Sequence, residues 1–118
     1  MQAYTQTITK AEFVKELRAH QKADNFISGS YWNEEQQKGC AVGCSLESIS
    51  RIKKIKFSFD DHSMYPKHLG IPEWLARLED AIFEGVSIER SKRWPVEFAE
   101  AINEGADLEK IKTPFLIF

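Results

Sequence analysis

At 118 residues the chain is long enough for one domain with a single buried core and too short for two of ordinary size. A composition 42% hydrophobic and 29% charged is that of a folded globular protein, and a formal charge of -2 removes any general electrostatic case for nucleic acid or a membrane surface as partner. No stretch reaches the roughly 18 apolar residues of a membrane span, and the opening MQAYTQTITK has no basic region followed by an apolar one. The expected location is therefore the cytoplasm, with both cysteines reduced.

In chain order, Thr9 followed by Glu12 makes a capping box, and Phe13, Val14, Leu17 and Ala23 recur at helical spacing, which predicts a first helix over about 10–23. His20 and Asp24 fall on the same arc as Phe13 and Leu17. Between Asn25 and Lys38 the pattern breaks into a loop or short extended segment, with Tyr31 and Trp32 covering an edge of the core.

The stretch Gly39–Glu47 concentrates most of the recognisable chemistry. Wound as a helix, it puts Cys40, Gly43, Cys44 and Glu47 on one side and Val42, Leu46 and Ile49 on another. Thiols four apart on a regular helix stand about 5 to 6 Å apart at Cβ, too far for a disulfide, so free thiols are expected. The favoured explanation of Cys, Ala and Gly in this run is that they are small and let another helix come close.

The following RIKKIKFSFDD is the one basic run. Ile55, Phe57 and Phe59 suit a short half-buried strand, while Ile49, Ile52 and Ile55 equally extend the preceding helix. Asp60 and Asp61 partly cancel its charge, and a solvated face is favoured over a phosphate grip.

Leu69–Gly85 reads as the clearest helix, with Pro72 in its first turn and Gly85 at its stop. Glu73, Arg77, Asp80 and Glu84 form one charged stripe, and Ile71, Trp74, Leu75, Leu78, Ile82 and Val86 fill most of the remaining circumference, so this helix is expected at the centre of the fold. Glu79 falls apart from the charged stripe and points toward the core, where an ionised carboxylate needs a donor such as His62, Tyr65 or the amides opening the cysteine helix. A further helix starts near Pro95, carries Phe98, Ala101 and Ile102 inward and stops at Gly105; Asp107 then caps a turn bearing Leu108 and Ile111. The chain finishes on Phe115, Leu116, Ile117 and Phe118, read as a segment that docks into the core or onto a second copy, or as the point where a longer protein continues.

Taken together, Lys38–Cys44 (KGCAVGC), His62, Tyr65, Leu69–Pro72 (LGIP), Leu75–Asp80 (LARLED) and Ile82–Gly85 (IFEG) resemble a pattern found in a group of small uncharacterised bacterial and phage proteins. The resemblance covers most of the chain after residue 20, departs from the pattern at RIKKIKFSF, and brings no activity with it. Members of the group look longer, which agrees with reading residues 1–118 as a single helical domain forming the N-terminal part of a longer protein.

The expected fold is mainly α, a compact bundle of about five short helices with room for one short strand or hairpin. Three functions are open, the first being the favoured reading and the others its alternatives. One is a non-catalytic interaction or assembly module, forming a homo-oligomer through apolar helix faces or through Phe115–Phe118. A second is a cysteine-dependent hydrolase or transferase with Cys40 or Cys44 as nucleophile, His62 as base and Glu79 or Glu47 as orienter. A third is a metal site built from Cys40 and Cys44 with two of His20, His62 and His68; zinc would fit such a set but is not favoured, and the cofactor is left unknown.

Overall fold

In the computed structural model, which describes residues 2–111, the chain forms helices α1 (Lys10–Lys22), α2 (Ala41–Lys53), α3 (Glu73–Gly85), α4 (Ile88–Ser91) and α5 (Trp94–Ala101). A single π turn over Tyr65–Leu69 precedes α3, and a 3-10 turn over Leu108–Ile111 follows α5. The fold is a mainly α bundle; no strand forms among the described residues, where isolated bridges pair Phe26 with Gly39 and Asn33 with Lys38. The segment 55–59 is therefore no strand: α2 runs on to Lys53 and ends at Lys54, whose left-handed φ of 56° turns the chain away.

Local chemistry explains where the helices start. Thr9 Oγ1 accepts from the Glu12 amide at 3.2 Å while Glu12 Oε1 accepts from the Thr9 amide at 2.9 Å, the reciprocal cap that opens α1. Phe13, Val14, Leu17 and His20 face inward from it, but Asp24 lies beyond the helix end, exposed and ion-paired to Lys92. Pro72 sits one residue before α3, so that helix is shorter than the sequence run, with the π turn and Gly70 as a separate connection.

The centre of the bundle is α2 rather than α3. Eight of its 13 residues are buried (Ala41–Leu46, Ser48 and Ile49), against Ala76, Glu79 and Phe83 from α3. Leu75, Leu78 and Ile82 of α3 are only partly covered, because α5 meets that helix along one edge. On α5, Phe98 and Ala99 are buried and Ala101 is exposed, opposite to its expected inward placement.

The opening segment, which carries no periodic pattern, is built into this bundle. Ala3 and Tyr4 are buried; the Ala3 amide donates to Ala106 O and its carbonyl accepts from the Gly105 amide, both at 2.8 Å. Tyr4 donates its hydroxyl to Ala99 O at 2.6 Å. Gly70 permits this closure twice over: its φ is +66°, and a Cβ there would lie 2.1 Å from Gln2 O. Phe115, Leu116, Ile117 and Phe118 lie outside the described residues.

Candidate functional site

The cysteine run is shaped by the loop that crosses it. Cys40 is the residue before α2, not part of its face; its Sγ accepts from the Gly43 amide at 3.4 Å, and its own amide donates to Ser30 O at 2.9 Å. A Cβ on Gly43 would stand 1.4 Å from Tyr31 O, so the small residues admit the backbone of a loop and not a second helix. Cys44 donates its thiol toward Gly39 O at 3.4 Å and Asn25 O at 3.6 Å, and burial pushes its pKa up to about 12. Both thiols are free and buried.

Around Cys40 two carboxylates converge. Cys40 Sγ and one carboxylate oxygen from each of Asp80 and Glu84 all lie within 4.8 Å of one another. Asp80 and Glu84 are one turn apart on α3, which packs on α2 and brings them to the helix start. With Gly29, Ser30 and Tyr31 they line a cleft of about 130 Å³. The Gly29 amide donates to Glu84 at 3.1 Å, fixing that side chain at the rim, and Asp80 Oδ1 is shielded from solvent without a hydrogen-bond donor. Neither carboxylate has an ion-pair partner among the described residues; Arg77 is engaged with Glu73 at 3.4 Å. Burial, and next the Asp80 charge, drive the Cys40 thiol far above its ordinary range, so it is protonated at neutral pH.

The remaining candidates lie elsewhere. His20 is buried, its Nε2 3.0 Å from Ser48 Oγ and 3.1 Å from Glu47 Oε1, with Asn25 on its other nitrogen at 3.1 Å. Burial opposes ionisation of Glu47, but hydrogen bonds from His20 and Arg51 prevail and hold its pKa down to about 2. His62 packs edge-on against Tyr31, ring centroids 5.7 Å apart, and His68 Nδ1 meets Thr7 Oγ1 at 2.7 Å; burial lowers the His68 pKa. The set of Cys40, Cys44, His20 and His62 is thus not gathered into one ligand group: among the described residues the histidines serve loop and helix contacts, and carboxylates take their place beside Cys40. Glu79 points inward, 1% exposed, and accepts from Tyr65 Oη at 2.9 Å. Burial raises its pKa to about 8. It faces the core network and an apolar groove, not the Cys40 cleft.

Sequence reasoning missed Asp80 and Glu84 as site residues because they sit on a stripe that also carries Glu73 and Arg77. Their four-residue spacing, unpaired by any following lysine, was the available signal. No family model, curated protein or solved structure matches the chain. No helix among the described residues is long and apolar enough to cross a membrane.

Proposed function

We propose that the protein binds a divalent metal ion of the zinc class through Cys40 Sγ and the carboxylates of Asp80 and Glu84. The observation that carries this reading is the convergence of those three ligand atoms, from a helix start and a neighbouring helix, within 4.8 Å around one cleft. Tetrahedral zinc ligands stand roughly 3.5 Å from one another, so a contraction of about 1 Å brings the three into coordination. The electrostatics favour a cation. Two carboxylates beside a thiol oppose its ionisation, whereas a bound dication reverses the sign and takes the thiolate as ligand.

Three protein ligands leave coordination open to water or to a small molecule entering between Gly29 and Tyr31, the arrangement of a reactive rather than a purely structural site. The same geometry weighs against Cys40 as a free nucleophile, because the attacking species is the thiolate and the metal-free site keeps the thiol protonated. A reducing compartment, the cytoplasm above all, suits two free thiols.

The test is titration with Co²⁺ and Zn²⁺ of protein stripped with chelator. One ion per chain, a sulfur-to-cobalt charge-transfer absorption and release of about one proton are expected. Cys40→Ser and Asp80→Asn should each weaken binding at least tenfold, while His62→Gln should not. A stoichiometry near zero at micromolar metal overturns the reading.

A further inference from the structure

A second surface lies on the other edge of α3. Two adjoining cavities of about 420 and 220 Å³ share Leu75, Trp94 and Phe98 and together form an apolar groove between α3 and α5, extended by Leu78, Ile82 and Leu108. Trp94 is anchored there by its indole, which donates to Glu79 O at 3.0 Å, so the aromatic wall is held in place.

The ionisable side chains that line this groove are all carboxylates, Glu97, Asp107 and the buried Glu79, and Asn103 is its one neutral polar side chain. Glu97 and Asp107 line it, and neither has an ion-pair partner among the described residues, although the chain pairs Glu16, Glu47, Glu73, Glu100 and Asp24 elsewhere. Asp107 Oδ1 is shielded from solvent and accepts no hydrogen bond. What favours a cationic partner is the pair of carboxylate side chains without ion-pair partners at the edge of an apolar groove. Apolar floor and acidic edge are what an amphipathic helix needs when its aliphatic face is flanked by Lys or Arg.

We propose that the α3–α5 groove is a docking surface for an amphipathic helical segment of another protein, with leucine-like anchors set between Trp94 and Leu108 and basic side chains placed against Glu97 and Asp107. The surface is separate from the Cys40 cleft and does not depend on metal.

The probe is a labelled synthetic helical peptide of Leu and Lys, with Leu at i, i+3, i+4 and i+7, and a control in which every Lys is Glu. Fluorescence anisotropy with the full chain should show micromolar binding of the Lys peptide, at least tenfold weaker binding of the Glu peptide, and a tenfold loss in the double variant Glu97→Lys, Asp107→Lys. Because Asp107 precedes the 3-10 turn, Glu97→Lys alone, at an exposed position of α5, serves if the double variant melts early; a threefold loss is expected there. Cys40→Ser should bind the peptide unchanged. The proposal is overturned if both peptides bind alike, if the charge variants bind as well as the parent, or if no binding appears up to millimolar protein. It is also overturned if the groove belongs to a second copy, seen as dimerisation in light scattering that the peptide reverses. Binding that appears only after Phe115→Ser and Phe118→Ser would assign the groove to the chain's own end and likewise overturn it.

Discussion

Tyr65 and Glu79 form a hydrogen-bonded pair sealed inside the bundle: the phenol donates to Glu79 Oε1 at 2.9 Å, and Oε2 is buried without a donor. Burial works on both groups in one direction, raising the pKa of Tyr65 and holding Glu79 at about 8, so the pair is neutral at physiological pH.

Stability follows from that sign. An acid whose folded pKa lies above its unfolded value of 4.5 stabilises the fold fully below pH 4.5, and the contribution is lost as pH rises to about 8. Chelator-treated protein should therefore unfold at lower urea concentration at pH 9 than at pH 6. Glu79→Gln, which keeps an acceptor for Tyr65, should flatten this dependence; an equally steep profile in the variant would remove the assignment. Glu79→Ala should cost about 1 to 3 kcal/mol, as loss of a buried hydrogen-bonding partner does.

Glu47 behaves in the opposite sense. His20 and Arg51 hold its pKa at about 2, below the ordinary 4.5, so its contribution is present above pH 4.5 and lost as the pH falls toward 2. Denaturation followed between pH 5 and 2.5 should show a shallower loss in Glu47→Gln than in the parent.

Gly43→Ala should be among the most damaging single-methyl additions. The new Cβ would stand 1.4 Å from a backbone oxygen that no rotamer change can move, so the Gly29–Trp32 loop must shift. A loss of about 3 kcal/mol or more is expected in thermal or urea unfolding, at the upper end of overpacking costs.

Both thiols should react slowly with a disulfide reagent in the native protein and rapidly once it is unfolded. They are buried, and burial pushes Cys44 up to about 12 and Cys40 further. A fast native phase at either cysteine would contradict this.

The legible parts of the fold were those decided within a few residues: the Thr9–Glu12 box, the stop at α3's glycine, and the inward aim of Glu79. The central position of α2 was hidden because a helix covered on nearly every side, and filled with small residues, shows little contrast around its wheel. Asp80 and Glu84 read as ordinary solvated charge, since only the packing of α3 on α2 brings them to Cys40. The segment 2–8 has no period of its own, and its place depends wholly on distant partners.

Those distant partners set an order of events. Ala3 exchanges both of its backbone hydrogen bonds with Gly105 and Ala106, and Tyr4 bonds to Ala99, so almost the whole described chain separates each donor from its acceptor. Contacts of such sequence separation are slow to close. During synthesis Ala3 and Tyr4 must wait, with two buried-type side chains in water, until α5 and the turn after it have been made. Closure around Ala3 and Tyr4 is thus tied to α5 and the turn after it, and shortening the chain before residue 105 would leave residues 3 and 4, as well as the new end, without a place.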